Sequence, residues 1–254
     1  MTPFETAPLL NAIPKVRHGF FGRSGGVSKG AFAGLNVSWS VGDDPAVVDQ
    51  NRNLVERAMG LGPLVILRQV HSADVQTITE PVAPSSIEAD ALVTRLPNIA
   101  LAILTADCTP ILLADPEVGI VGAAHAGWRG AVDGIIGNTV KAMVALGADP
   151  ACIRAAYGPT IHAPNYEVGD KFKADFLALH PGGERFFHTP SGKQVHFDLP
   201  GFVEAQLRAA GVKHIEQVGS CTYAHPERYF SHRYATHKTA KTGRQIAVIG
   251  LTQV

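Results

Sequence analysis

Cys108 and His125, whose side chains bind metal ions or act as a nucleophile and a base, lie on either side of an Asp-Pro-Glu turn signal. Apolar residues flank this signal, which predicts the two strands of an antiparallel hairpin. If the hairpin is centred between Pro116 and Glu117, Cys108 faces His125 with Cβ atoms about 4.5–5.5 Å apart. Pro110 opposes this register because proline cannot donate a hydrogen bond to the ladder. The spacing predicts a Cys/His pair that shares a metal ion or forms a nucleophile–base pair.

His71 is a third candidate, since it ends the run Leu-Arg-Gln-Val-His after a predicted strand. One cysteine and two histidines far apart in the chain match a catalytic zinc site with three protein ligands and an open fourth position. They lack the Cys-x-x-Cys spacing of a structural zinc module. Core packing is the alternative for each side chain, and the residues alone leave it open.

The segment after His125 has features of an anion site. It reads Ala-Gly-Trp-Arg-Gly and leads into a predicted helix that begins at Ala131. Backbone N–H groups at a glycine turn and a helix start favour anions, and Arg129 adds a forked donor. Binding of a phosphate or a developing oxyanion is one interpretation. A tight turn beside a solvated arginine is the other.

The elements that must position these side chains are short apolar strands mixed with amphipathic helices. Strands are predicted at residues 65–67, 75–78, 91–94, 99–105, 119–124, 153–157 and 246–250. Helices are predicted at residues 45–59, 131–146 and 199–210, from apolar residues at helical spacing and from cap residues. Because strands and helices do not alternate strictly, we predict an α+β fold, a mixed α/β layered sandwich in a single domain spanning 1–254.

The composition excludes several classes of protein. The 254 residues include 22 Lys and Arg against 22 Asp and Glu, and 46% are hydrophobic, which is typical of a globular protein. Zero net charge without a basic run predicts no nucleic-acid partner. No apolar run approaches the ~18–20 residues of a membrane helix, so no membrane partner is predicted. Three cysteines and no secretory signal pattern predict a reducing, cytoplasmic location.

Short motifs with recognisable order occur along nearly the whole chain. They are HGFFGRSGGVSKG at 18–30, LNVSWSVGDD at 35–44, RQVH at 68–71, EADALVT at 88–94, TADCTP at 105–110, HAGWRG at 125–130, YEVG at 166–169, FDL at 197–199, CT at 221–222 and TGR at 242–244. Together they resemble the bacterial family long labelled laccase-domain or polyphenol oxidase. The resemblance implies a fold similar to the catalytic domain of cytotoxic necrotizing factor, which itself uses a Cys/His pair.

The resemblance also implies the chemistry of the site. It implies a zinc-dependent purine nucleoside phosphorylase whose metal ligands fall on His71, Cys108 and His125. Cys108 and His125 are catalytic candidates as well, together with Asp107. Asp107 and Asp90 lie within the motifs as candidate acids or bases, and either equally orients a histidine.

Several activities and partners follow from the same resemblance. Purine nucleosides (adenosine, inosine, guanosine and methylthioadenosine) and phosphate are the implied substrates. We predict a monomer or homodimer. Adenosine deaminase activity is implied too, for which the metal supplies a water of lowered pKa, and a role in peptidoglycan editing is implied for some members. Arg129 and Arg23 are the candidate phosphate contacts. Arg23 lies in a glycine-rich loop, for which a plain surface turn is the alternative.

Two other classes of function remain open from the residues. One is a metal-free cysteine hydrolase or amidase with Cys108 as nucleophile and His125 as base. The other is a non-catalytic cell-wall or partner-binding protein with a structural zinc, although the chain offers no obvious fourth ligand. A multicopper oxidase is disfavoured because such enzymes need closely spaced histidine pairs, and the chain has no His-x-His.

Overall fold

The computed structural model describes residues 2–80, 82–83, 85–192, 194–238 and 241–253. Its strands are β1 (Phe4–Glu5), β2 (Val16–Phe21), β3 (Leu64–Ile66), β4 (Val75–Thr77), β5 (Ala91–Thr94), β6 (Ala100–Thr105), β7 (Thr109–Asp115), β8 (Ile120–Ala126), β9 (Arg154–Tyr157), β10 (Glu167–Val168), β11 (Phe187–His188), β12 (Val195–Phe197), β13 (His214–Gln217) and β14 (Gln245–Leu251). Its helices are α1 (Pro8–Asn11), α2 (Pro45–Met59), α3 (Trp128–Asp133), α4 (Ile135–Ala145), α5 (Asp170–Leu179), α6 (Leu199–Ala209) and α7 (His232–Lys238).

Two large sheets and one small sheet organise these elements. The five-stranded sheet has the order β1-β2-β14-β6-β3, and the six-stranded sheet has the order β13-β9-β7-β8-β5-β4. The small sheet has the order β10-β12-β11. Both large sheets mix parallel and antiparallel pairs, for example β3 parallel to β6 and β14 antiparallel to β6. This topology confirms the prediction of a mixed α/β fold that is not doubly wound.

Alternation along β7 shows how the layers pack. Leu112 and Ala114 face the five-stranded sheet and share a core with side chains of β2, β6 and β14. Ile111 and Leu113 point to the opposite face, where α4, α6 and the small sheet cover them. Helix α2 covers the outer face of the five-stranded sheet. Strands β7 and β8 are therefore buried on both faces, which explains their nearly continuous apolar sequence.

Local sequence signals place α2 where the periodicity predicted it. The Asp44 side chain accepts a hydrogen bond from the Ala46 N–H, Pro45 occupies the first turn, and Gly60 ends the helix in the left-handed region at φ 59°. The predicted strands are also present, with ends that differ by a residue or two except at β5, where they coincide. Strand β2 was missed because its sequence, Val-Arg-His-Gly-Phe-Phe, has no regular alternation although nearly all of it is buried.

The prediction of a single helix at 131–146 is wrong. The chain forms α3 and α4 instead, and Gly134 at φ 96° is both the C-cap of the first and the N-cap of the second. A left-handed glycine ends an α-helix because its backbone turns out of the helical path. None of the helices in the described part of the chain is long and apolar enough to cross a membrane.

The predicted register of the hairpin is also wrong. Pro110, not Cys108, lies opposite His125, and Cys108 precedes the first paired residue of β7. The loop runs from Pro116 to Gly119 because the Asp115 carboxylate accepts hydrogen bonds from the main-chain N–H groups of residues 117 and 118. The main-chain N–H of His125 donates to the main-chain oxygen of Asp90, on the other side of β8. Pro110 therefore fits this ladder, because its position opposite His125 needs no N–H donor.

Candidate metal centre

Three elements bring His71, Cys108 and His125 together. His71 lies in the loop after β3, Cys108 in the turn between β6 and β7, and His125 in β8. One ligand atom from each residue lies within 4.8 Å of the other two. The Cys108 Sγ is 3.9 Å from the His71 Nε2, and the two imidazole rings meet edge to face at 4.9 Å. The predicted cluster therefore forms although the predicted register does not.

The backbone at two of these turns is in the left-handed region. His71 has φ 62° and Asp107, which precedes Cys108, has φ 87°. Such a conformation costs a non-glycine residue roughly 1–3 kcal/mol and persists only where the surroundings hold it. Both turns place a candidate ligand at the candidate metal centre, and a buried carboxylate holds each of them.

Asp90 holds the loop that carries His71. Its Oδ2 accepts hydrogen bonds from the main-chain N–H groups of Val70 and Ser72, at 3.0 and 2.7 Å, and from the Ser72 hydroxyl at 3.1 Å. Its Oδ1 lies 2.8 Å from the His125 Nδ1. One buried carboxylate thus connects the two histidines, and sequence reasoning had left open whether it was an acid, a base or such an anchor.

The Asp90 contact sets the tautomer of His125. With Nδ1–H donating to the carboxylate, the Nε2 lone pair is left for a metal ion or for Cys108. Burial raises the pKa of the Asp90 carboxyl, but the hydrogen bonds from His125 and Ser72 and the charge of His125 outweigh it and lower the pKa to about 2. Asp90 is therefore ionised at neutral pH.

Asp107 anchors the turn that carries Cys108. Its carboxylate accepts hydrogen bonds from the Thr222 hydroxyl and the Arg233 main-chain N–H, both at 2.6 Å. Its main-chain oxygen accepts further hydrogen bonds from residues 160 and 161. The carboxylate does not line the pocket at the metal centre. The geometry supports an orienting role for Asp107.

Cys108 and His125 change each other's protonation. Burial raises the pKa of the Cys108 thiol, but the charge of His125 and hydrogen bonds from His125 and His71 lower it to about 6. Burial lowers the pKa of His125, whereas the Cys108 thiolate and Asp90 raise it to about 9. Without a metal ion the pair is a thiolate and an imidazolium at neutral pH. The thiolate is the form of cysteine that binds metals and attacks electrophiles.

The residues present fit a zinc ion. Two imidazole nitrogens and a thiolate are the donors that zinc prefers, and the ligand atoms of a tetrahedral zinc site lie roughly 3.3–3.6 Å apart. The three ligand atoms lie within 4.8 Å of one another, so a bound ion would draw them closer by roughly 1.5 Å at most. Gly127 forms one wall, because a Cβ there would lie 2.9 Å from the His71 Cδ2 and 3.0 Å from the Cys108 Sγ. Three protein ligands leave a fourth position for a water or substrate.

A pocket of about 670 Å³ adjoins these ligands. Its size is within the range of small-molecule sites, roughly 300–1,000 Å³. Its lining includes three arginines and three histidines, and no Asp or Glu among the described lining residues. The polar and aromatic lining residues are Ser38, Trp39, Ser40, Arg52, Arg68, Gln69, His71, Ser85, Thr105, Cys108, His125, His232 and Arg244. The pocket is therefore suited to a small molecule with anionic character.

The structure places the two predicted phosphate contacts outside this pocket. Arg129 is exposed, and its guanidinium lies over the Trp128 ring. The three guanidinium nitrogens of Arg23 donate to the main-chain oxygens of Ala33 and Pro226. Arg23 thus ties two loops together, beside a smaller cavity of about 130 Å³.

Sequence reasoning missed the cationic and aromatic residues that do line the pocket. Arg52, Trp39, Arg68 and Arg244 come from α2, from two loops and from the residue before β14. Only their positions in the quoted motifs, or in the predicted helix for Arg52, could have drawn attention to them. No local spacing relates them, because their proximity depends on how distant segments pack.

These observations define the class of protein: a layered α/β fold with a candidate metal centre. A family model described as multi-copper polyphenol oxidoreductase laccase matches residues 17–252. The chain belongs to this family, which confirms the resemblance seen in its motifs.

Relatives with similar sequences carry a different label. The purine nucleoside phosphorylase of Deinococcus radiodurans is 43% identical, over 98% of this chain and 93% of its own. The purine nucleoside phosphorylase ORF3 of Streptomyces griseus is 41% identical, over 97% of this chain and 98% of its own.

Solved structures share the whole fold. The crystal structure of Neisseria meningitidis protein NMB0706 matches with a TM-score of 0.89 and 31% identity, covering 100% of both chains. The crystal structure of YlmD from Geobacillus stearothermophilus matches with a TM-score of 0.88 and 33% identity, covering 100% of this chain and 98% of its own.

Proposed function

We propose that this chain is a zinc-dependent purine nucleoside phosphorylase with zinc held by His71, Cys108 and His125. The observation that carries the proposal is the convergence of these three donors beside a pocket of nucleoside size. The names of the relatives support the same reaction class. Single-domain organisation over 1–254, a cytoplasmic location and a monomer or homodimer remain predictions.

In phosphorolysis, a phosphate oxygen forms a bond to C1′ of the ribose while the C1′–N9 bond breaks. The electron pair passes to the purine, which takes up a proton, and the products are ribose 1-phosphate and the free base. Bound zinc supplies a Lewis acid and a water of lowered pKa. Among the chain's own residues, Asp90 keeps Nε2 of His125 directed at the centre, and the cationic lining of the pocket attracts phosphate.

The proposal includes a second reaction at the same centre. In adenosine deamination, a water oxygen replaces the amine at C6 of the purine and ammonia leaves. The substrates we propose for phosphorolysis are adenosine, inosine, guanosine and methylthioadenosine. Adenosine and methylthioadenosine carry an amine at C6, and the deamination that we propose is that of adenosine to inosine. Peptidoglycan editing, the other role implied by the family resemblance, would need a substrate of a different class.

A metal-free cysteine hydrolase or amidase is the second candidate. The thiolate–imidazolium pair of Cys108 and His125, with Asp90 on the far nitrogen of the imidazole, has the order of a nucleophile, base and orienting acid. In that reaction the Cys108 sulfur forms a bond to a carbonyl carbon. The leaving amine takes its proton from His125, and water then releases the acid.

Metal content together with a substrate screen tests the two candidates. Protein purified without chelators is analysed for metals and then assayed with the four nucleosides, with and without phosphate. About one zinc per chain and base release only with phosphate are expected. A metal-free protein without phosphorolysis, but with amide hydrolysis that Cys108→Ala abolishes, contradicts the phosphorylase and supports the hydrolase.

A further inference from the structure

The cationic part of the pocket is formed by residues that the metal centre does not use. Arg68 is largely exposed and is paired with Glu88 at 2.7 Å, so its charge is already offset. Arg52 and Arg244 make no ion pair within the described chain. Guanidinium groups without a direct ion-pair partner in a recess raise the local concentration of anions.

Arg244 has donors available at this place. Its main-chain N–H donates to the buried Asn36 Oδ1 at 2.9 Å, which fixes the start of the side chain. Within the described residues, its guanidinium makes one hydrogen bond, from Nη1 to the oxygen of neighbouring Gly243. Burial lowers the pKa of Arg244, and the charges of Cys108 and Asp107 act in the opposite direction. Arg244 and Cys108 line the same pocket.

Arg52 is more deeply buried, with 7% of its surface exposed. Its guanidinium lies 3.5 Å from the centre of the Trp39 ring, and its Nε donates to the oxygen of Val37. Its Nη1 is buried and reaches no hydrogen-bond partner in the described chain. An unsatisfied buried donor of a charged group costs free energy that a ligand would recover.

Two connections bring these donors to one place. The N–H of Val37 donates to the main-chain oxygen of Arg244, while its own oxygen accepts from Arg52. Thr105 lies opposite Gln245, the residue after Arg244, in the β6–β14 pair. Thr105 also lines the pocket, and its buried hydroxyl has no hydrogen-bond partner among the described residues.

We infer that Arg244 and Arg52, with the Thr105 hydroxyl, form the orthophosphate subsite of the pocket. The inference rests on the proposed phosphorylase function and replaces Arg129 and Arg23 as phosphate contacts. Phosphate accepts hydrogen bonds on all its oxygens and pairs with the planar guanidinium fork. Bound there, it lies beside the metal centre, in the same pocket as the nucleoside.

The kinetic test uses the zinc-loaded enzyme and Arg244→Gln, which keeps a polar side chain but removes the guanidinium and its charge. The apparent KM for phosphate is expected to rise roughly ten- to a hundredfold, as for loss of charge-assisted hydrogen bonds, while the KM for inosine changes little. Arg244→Lys should recover part of the loss. Arg208→Gln, at an exposed position of α6 that does not line the pocket and is paired with Glu204, is the matched control.

A binding test does not depend on turnover. Inorganic phosphate should raise the melting temperature of the wild type and of Arg208→Gln, and not that of Arg244→Gln. If no nucleoside is cleaved but this Arg244-dependent shift is seen, the proposed reaction fails while the anion subsite stands. An unchanged phosphate KM in Arg244→Gln, or a loss in Arg129→Gln instead, overturns the subsite.

A third arm separates free phosphate from the phosphate of a nucleotide. Inosine 5′-monophosphate is titrated against the wild type and Arg244→Gln in the absence of orthophosphate. Weak binding that Arg244→Gln leaves unchanged supports the orthophosphate assignment. Binding tighter than that of orthophosphate, and lost in Arg244→Gln, overturns it in favour of a nucleotide site.

Discussion

At the scale of single residues, the centre depends on a few side chains with more than one contact. Asp90 receives hydrogen bonds from both sides of His71 and from His125, so one carboxylate positions two candidate ligands. Cys108 is the third, and its thiol is half-buried between the two imidazoles. Substitutions here should therefore affect metal binding far more than folding.

Cys108→Ala should lose zinc and nearly all turnover while remaining folded. The thiolate supplies one of three ligands, whereas the core between the two large sheets does not include it. Zinc should fall from about one per chain to less than a tenth, with an unchanged circular dichroism spectrum. His71→Ala should behave alike. Full activity in Cys108→Ala would mean that the centre is misassigned.

Asp90→Asn should reduce zinc affinity or turnover roughly 10- to 100-fold, as expected for loss of a carboxylate that orients a metal-binding histidine. Asparagine keeps the size of the side chain, but its amide cannot accept from His125 and from the loop at Ser72 with the same strength. Zinc affinity is measured by competition with a chelator. Zinc affinity and turnover that both stay within a factor of two of the wild type would show that Asp90 does not orient His125.

At the scale of elements, strands and turns carry candidate ligands whose proximity cannot be deduced from the sequence of any one element. Strand β8 carries His125 and continues into the Gly127 turn, which leaves room for His71 and Cys108. The turn before β7 is held by the Asp107 contacts to Thr222 and Arg233. The centre is thus assembled by elements from distant parts of the chain.

Gly127→Ala should weaken zinc binding without unfolding the protein. The backbone at Gly127, with φ −71°, accepts any residue, but the added Cβ would lie 2.9 Å from His71 and 3.0 Å from Cys108. Gly137→Ala in α4 is the matched control, since its Cβ meets nothing within 4 Å. The control should keep its zinc and gain about 0.5–1 kcal/mol of stability. Equal zinc affinity in the two variants would contradict the proposed wall.

His18 in β2 should make the fold acid-sensitive. Its Nε2 accepts a hydrogen bond from the Ala7 N–H, and burial lowers its pKa from 6.5 to about 4. The folded state therefore binds fewer protons than the unfolded state between these values. The stabilisation is complete above pH 6.5 and is lost as the pH falls towards 4, on the order of 3 kcal/mol.

Urea unfolding of the wild type and His18→Gln at pH 7 and pH 4.5 measures this effect. Glutamine keeps an acceptor for the Ala7 N–H but does not titrate. The free energy of unfolding of His18→Gln should therefore fall less between the two pH values than that of the wild type. The variant is expected to be less stable at pH 7 because it repacks a buried site. An equal fall in both proteins would place the acid sensitivity at other groups.

At the scale of the whole molecule, the layers provide one frame for one candidate metal centre. Within the described residues, His71, Cys108 and His125 form the single group of at least three potential ligands. The other histidines are scattered over the fold and do not join it. The family description mentions several coppers, which would need more ligands than this cluster has.

Added copper should therefore not create an efficient oxidase. It should occupy the zinc position or exposed histidines, without the paired histidines that hold a multi-copper cluster. The measurement is phenol oxidation by copper-loaded protein, with Cys108→Ala as the control for the central site. Turnover in the usual enzyme range, about 1–1,000 per second, and its loss in that variant would defeat this expectation.

The sequence by itself determined the layered α/β class, the extent of α2, the three candidate ligands and the family. These depend on local signals, such as the Asp44 cap and the apolar runs, or on motifs read in order. The tertiary structure decided the register of the β7–β8 hairpin, because the Asp115 contacts set the length of its loop. Gly134 likewise split a helix that periodicity alone joined.

The tertiary structure also decided which arginines face the pocket. Arg129 follows a ligand in sequence yet lies over Trp128, whereas Arg52 and Arg244, far apart in the chain, meet through Val37. Periodicity and motifs report which residues are buried and where an element begins. They do not report which distant segments share a cavity, because that depends on how the sheets and loops pack against one another.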